Sequence, residues 1–321
     1  ISDRTSLHIE IGALQTHWQG AYPVFDISDL RITDNKAPSQ LSIVSSRVNA
    51  SVDLFRSLRY WQPIFKYADV DGLKVRLVEP ESGWTQSPAK EPDAQTSRFN
   101  DVLNKTATLL FTQSHIDISN AEFELMLAGE EVRRFSPVTL AIDNTRKQHQ
   151  VVGQARLETE QGKNSEAAFV IEADQLSPSR PLDGEFSIYA KVSDVGTPIL
   201  DLAGELLPIE ISQLDASAEL WATLSKRELS RLQGRASVDK LSFADEKFDN
   251  VIDSSFTFAA EPKGNNRYQI QVSSLTLVSD HTPADTLSLP YVTAMIQLPT
   301  PNSETEKGAL VLKQLAIQSL P

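Results

Sequence analysis

Cysteine is missing from the chain. That excludes a disulfide framework, a thiolate metal site and a cysteine nucleophile, and it leaves the redox compartment open. Long apolar runs are missing too. The longest, residues 167–171, is far short of the ~20 residues that a membrane span requires. No basic-then-apolar leader opens the sequence. Positive charge is scarce, with 30 Lys and Arg against 43 Asp and Glu and a net charge of -13. A chain this acidic lacks the electrostatic footprint of a nucleic-acid binder, and as a whole it is repelled by anionic headgroups. Ile1 is not a natural start, so the chain is expected to be a piece cut from a longer one, which leaves room for a leader or anchor ahead of it.

What is present is alternation. In 321 residues, 40% of them hydrophobic, the apolar positions fall mostly at a spacing of two. Val138, Leu140 and Ile142 share one parity, as do Phe186, Ile188, Ala190 and Val192, and Phe256, Phe258 and Ala260. Side chains two apart on a strand project from the same side, so each set is expected to form the dry face of a strand. Such runs recur along the chain between Asp, Asn, Gly and Pro, which predicts a mainly β protein built on a long antiparallel sheet. Few segments have helical spacing. Residues 53–61 place Leu54, Phe55, Leu58 and Trp61 on one face behind a capping Asp53. Residues 98–111 carry a looser stripe, and 226–232 form a third, weaker candidate. Residues 80–97, rich in Pro, Ser and Gln, are expected to be a flexible insertion; 159–166 and 299–308 are expected to be loops.

Motifs for chemistry are absent. There is no nucleophile elbow, phosphate loop, dinucleotide fingerprint or zincin helix. His8, His17, His115, His149 and His281 are scattered, with no two at i, i+4, and ordinary strand or loop histidines are expected. Acid pairs such as Asp69 with Asp71 and Glu130 with Glu131 are what chance supplies among 43 acids, although glycoside hydrolysis also uses paired carboxylates. Asp143, Asn144 and Thr145 suggest a hairpin turn and lack the ladder of a calcium loop. Trp18, Trp61, Trp84 and Trp221 invite a carbohydrate platform, but aromatic residues bridging core and rim are the plainer expectation. No metal or cofactor is expected.

The order of the segments carries a resemblance. Residues 9–34, IEIGALQTHWQGAYPVFDISDLRITD, hold Trp18, Gly20 and Pro23 in a W-x-G-x-x-P element. A strand, then DLFRSL at 53–58, then VDGLKVRL at 70–77 come next. Later come HIDISNAEFEL at 115–125, VTLAIDNTRKQHQVVGQARL at 138–157 and LDASAELWATLSKRELSRLQGRASVDKLSF at 214–243. Together these resemble the AsmA-like proteins, in particular the YhdP branch, over most of residues 1–260. The resemblance implies a periplasmic segment of a bridge-like lipid transfer protein of Gram-negative bacteria. Such a protein is held in the inner membrane by an N-terminal helix that this chain lacks, and it reaches toward the outer membrane. It implies an open, curved, taco-like β-groove: an N-terminal β segment with a short helix over 1–79, the insertion at 80–97, and a continuing groove over 98–321. Phospholipid is the implied partner, outer-membrane integrity the implied role, and no enzyme chemistry is implied.

Moving a lipid through water exposes its tails at about 0.8 kcal/mol per CH₂, roughly 24 kcal/mol for two chains of about 15 such groups. A continuous dry surface removes that cost. The residues expected to line it are Val138, Leu140, Ile142, Phe186, Ile188, Ala190, Phe256 and Phe258. Two other readings of the same pattern stay open: a scaffold module whose apolar faces close on each other as a sandwich core, and a carbohydrate-active β protein using an acid pair.

Overall fold

A computed structural model describes residues 7–34, 41–78, 111–126, 132–158, 164–196, 211–245, 249–280, 286–297 and 311–318, apart from 146, 175, 178–180, 227 and 265–266. The chain is mainly β and divides into two compact units. The first holds β1 (Leu7–Gln19), β2 (Tyr22–Asp34), β3 (Leu41–Val52), helix α1 (Leu54–Tyr60), β4 (Phe65–Val78), β5 (His115–Met126), β6 (Val132–Asn144) and β7 (Gln148–Glu158). Strand β8 (Ser165–Asp174) has residues in both. The second holds β9 (Glu185–Gly196), β10 (Ile211–Ser225), β11 (Glu228–Phe243), β12 (Val251–Pro262), β13 (Arg267–Ser279), β14 (Thr286–Gln297) and β15 (Val311–Gln318), except that Glu185 itself groups with the first unit. Hydrogen-bonded strand order follows chain order from β1 to β15, and the sheet does not close into a barrel.

The predicted helix forms where its caps place it. Asp53 accepts a hydrogen bond from the Arg56 N–H at 3.0 Å, and Trp61 ends the helix in the left-handed region. Two expectations are corrected. Residues 228–232 belong to strand β11, and Lys226 sits in a turn with φ 52°. Leu224 pairs with Leu229 and Thr223 with Arg231, so the extra residue Ser230 sets Leu229 and Leu232 three apart. A β-bulge thus imitates helical spacing. The sheet is also not antiparallel throughout: β4 and β5 run parallel, from Ala68↔Ile116 to Val78↔Met126. A parallel pair needs a crossover connection, and residues 79–114 supply it. The insertion at 80–97, and all of the 98–111 stripe but Phe111, lie outside the described residues.

Neighbouring strands of the first unit are interrupted at one level. The pairs on either side skip Gly12 and Asp29, then Ser46, then Gly72, then Asn120. Asp29, Gly72 and Asn120 all have positive φ, at 54°, 62° and 51°. The polar side chains of this column bind the loosened backbone: Ser45 and Ser46 both donate to the Asp71 carbonyl, at 3.1 and 2.8 Å. Paired strands skip residues in step, so register is kept from β1 to β5 while the parity of the side chains beyond the interruption changes. In β4 the inward set is therefore Ala68 and Val70, then Leu73, Val75 and Leu77; in β5 it is Ile116 and Ile118, then Ala121, Phe123 and Leu125.

Because the interruptions line up, the apolar face stays continuous across them. One row of partners runs Ile32, Ile43, Val75, Phe123, Phe135 and Leu157; another runs Ile27, Val48, Val70, Ile118, Leu140 and Gly153. The opposite face is charged. Lys74 meets Glu122 at 3.2 Å, Arg134 reaches Glu122 at 3.2 Å and Glu124 at 2.9 Å, and Arg76 lies 3.7 Å from Glu124.

The second unit repeats the division. Leu220, Gly234, Phe258, Val272 and Val292 form one apolar row, and Ala222, Leu232, Ala260, Ile270 and Ala294 form the next. On the other face Glu219 pairs with Arg235 at 2.6 Å and with Lys191 at 3.7 Å.

Candidate functional site

The apolar face of the first unit is half-buried for the most part. Of the row Ile27 to Leu140, no side chain is fully covered, whereas Ile142, one row away, is 1% exposed. A hollow of about 300 Å³ opens on this face, lined by Leu77, Phe123, Leu125, Phe135, Val138 and Ala155, with Glu124 at its edge. Its walls are almost wholly apolar. Water gains nothing there, because a site for ordered water needs two to four polar partners. The larger hollow in the second unit, about 470 Å³, is mixed: the predicted Phe256 lines it with Val192, Ala218 and Ala236, beside Ser217, Glu219, Arg235, Ser237, Ser255 and Thr257, and Glu219 is already paired with Arg235 and Lys191.

The predicted lining residues fall in several places. Val138 lines the apolar hollow, Leu140 continues the Ile27 row, and Ile142 continues the row of Phe25, Ala50, Ala68 and Ile116. Phe186 is buried, while Ile188 and Ala190 are half-buried between exposed Ser187 and Lys191. Phe256 pairs with Ala236, and Phe258 with Gly234, on the apolar face of the second unit. The Phe258 ring covers Gly234 so closely that a Cβ there would stand 2.5 Å from it. Residues the alternation did not single out also line the hollow: Leu77, Phe123, Leu125 and Phe135. Their signal was a three-residue gap in the alternation, marked by Gly72 in β4 and Asn120 in β5.

Titratable groups are dispersed. His8 meets Glu10 at 3.1 Å, His17 meets Asp26 at 3.6 Å and His115 meets Asp143 at 2.6 Å. His149 is buried, with Nδ1 2.9 Å from Asn144 Oδ1 and the Phe111 ring edge-on at 5.8 Å. Burial lowers its pKa, against a smaller upward pull from Asp174. Asp71 accepts hydrogen bonds from Asn120 at 2.8 Å and Ser119 at 3.0 Å, which lower its pKa; it ties the β4 and β5 interruptions together. The predicted turn at 143–145 is present, with Thr145 N–H donating to the Gln148 carbonyl at 2.8 Å. Glu130, Glu131, His281 and Trp84 lie outside the described residues. Among the described residues no three His, Asp or Glu side chains converge to hold a metal. Trp221 packs against Tyr189 at 5.5 Å. Trp18 and Trp61 do not bridge core and rim as expected: they are 66% and 88% exposed.

These features define an open β-sheet protein whose two units each have an apolar and a charged face, the apolar one suited to holding apolar matter. The chain belongs to the YhdP protein family, whose model matches residues 1–320. None of the curated proteins matches it. Membership of that family and an open sheet with a dry face fit a module of the lipid-transfer type. No described helix is long and apolar enough to cross a membrane.

Proposed function

We propose that this chain is a periplasmic segment of an inner-membrane-anchored protein that shields phospholipid acyl chains on their way between inner and outer membranes, and so supports the integrity of the outer membrane. The observation that carries this reading is the unbroken, half-exposed apolar face of the first unit. Six strands spaced at about 4.8 Å give it a width of about 24 Å. A leaflet of lipid tails is about 15 Å deep, half of the hydrocarbon core, so an extended tail fits along one row. The headgroup stays in water, which allows the other face to be acidic. No residue needs to perform chemistry, because the work is the removal of tails from water. A closed sandwich core, the basis of the scaffold reading, would bury these rows fully; their half-exposure favours the conducting face.

Photo-crosslinking in cells tests this. Probes at Val138 and Leu140 are expected to capture phospholipid, and a probe at Thr139, on the opposite side of β6, is not. Capture of protein alone at Val138 and Leu140, with no phospholipid in native mass spectra of the purified chain, would overturn the reading.

A further inference from the structure

We propose that the end of the sheet formed by α1 and the β1–β2 turn seats on a bilayer surface that carries anionic headgroups. Helix α1 turns its apolar side chains to water: Phe55 is 80% exposed, Leu58 66% and Trp61 88%, with Leu54 also exposed. This is no loosely attached element. The Asp53 N–H donates to the Ile64 carbonyl at 2.8 Å, and Ile64 is fully buried. Arg56 donates to the Thr112 carbonyl at 3.0 Å and to Ser114 Oγ at 2.7 Å. The helix is pinned from behind and presents its apolar side outward.

The β1–β2 turn adds to the same end. Trp18 pairs with Pro23, and the next residue, Val24, pairs with Ser51 just before α1. Lys66 Nζ lies 4.1 Å over the Tyr22 ring, and the Tyr67 hydroxyl donates to Gln19 Oε1 at 3.5 Å. Exposed apolar patches on this scale mark an interaction surface. Charge selects the partner. Residues 54–67 contain Arg56, Arg59 and Lys66 and no carboxylate, within a chain of net charge -13. Of the carboxylates nearby, Asp53 caps α1, Asp143 meets His115, and Asp26 lies 3.6 Å from His17 and 3.9 Å from Arg47; Asp69, close enough to act on the Tyr67 hydroxyl, adds one negative charge. Trp, Phe and Leu beside Arg59 and Lys66 match the composition of the membrane–water interface. The global repulsion from anionic lipid does not decide the matter. Screening over about 8 Å lets the surface respond to local charges, and each basic residue near it strengthens binding about fivefold.

The test is co-sedimentation of the purified chain with vesicles of phosphatidylcholine, with and without phosphatidylglycerol. Binding is expected to be stronger with phosphatidylglycerol and to weaken as salt rises. Phe55→Ser with Trp61→Ser should reduce it at least roughly tenfold. Arg59→Glu with Lys66→Glu should abolish the preference for phosphatidylglycerol. In a variant that keeps Trp61 as its one tryptophan (Trp18→Phe, Trp84→Phe and Trp221→Phe), emission should be quenched by brominated lipid. Leu140→Asp, which disables the proposed acyl-chain face, should leave vesicle binding unchanged, so the two readings fail separately. Equal binding by the wild type and the Phe55 and Trp61 variant would overturn the proposal. So would patch variants that alter only the mass of the lipid-free protein, since the patch would then join two copies of the chain.

Discussion

At the scale of single residues, His149 links the fold to pH. Its environment favours the neutral imidazole, so its folded pKa is depressed below 6.5. Below pH 6.5 the unfolded chain binds a proton that the folded chain resists, so stability falls with falling pH through the window between the two pKa values. Urea unfolding should show lower stability at pH 5.5 than at pH 7.5, and His149→Gln should flatten that difference. Equal slopes in the two proteins would show that His149 does not set it. Glycines make a sharper case. Gly72 holds φ 62° with Ser46 Oγ where a Cβ would come within 2.5 Å. Gly72→Ala should cost about 1–3 kcal/mol, from the left-handed backbone and the collision. Gly234→Ala should cost a similar amount, because Phe258 and the Glu219 carbonyl leave no room. Denaturant midpoints with unchanged slopes would verify both.

At the scale of elements, α1 depends on its cap more than on its packing. Asp53→Ala should cost about 1 kcal/mol, whereas Phe55→Ser and Trp61→Ser should leave the melting temperature nearly unchanged, since those side chains are already in water. The parallel β4–β5 pair imposes a length on its connection. From the level of Val78 back to that of His115 is about 36 Å along the strands. Deleting 80–97 leaves enough extended chain to cover it, at up to about 3.6 Å per residue. Deleting 80–108 does not, and that protein should lose the β4–β5 ladder and unfold at markedly lower denaturant. Both deletions behaving alike would contradict the parallel register.

At the scale of the whole molecule, the face matters more than any one residue. Leu140→Asp places a charge on a half-exposed row and should cost under about 2 kcal/mol, while Ile142→Asp buries one and should cost about 3–5 kcal/mol. Both should block phospholipid capture if the face conducts lipid, because a passing tail would have to desolvate the carboxylate. Much of this was legible in the sequence. Period-two spacing at 138–142 and 256–260 predicts strands with a dry side, and Asp53 before a helical stripe predicts α1, because those signals depend only on neighbours in the chain. The column of interruptions was not legible as a unit. Asp29, Ser46, Gly72 and Asn120 look like unrelated breaks until register sets them side by side. The same holds for Phe123 and Phe135, whose parity changes at a bulge, and for Leu229 to Leu232, where a bulge imitates a helix. The sequence by itself determined a β chain with one apolar and one charged side per strand, since side-chain alternation follows from backbone geometry alone. Only the tertiary structure decided that the apolar sides join into an open face within each unit, that β4 and β5 run parallel, and that α1 turns its aromatic side to water. Each of those depends on which distant backbone groups pair, and pairing energy is nearly the same for many registers until side chains on neighbouring strands select one.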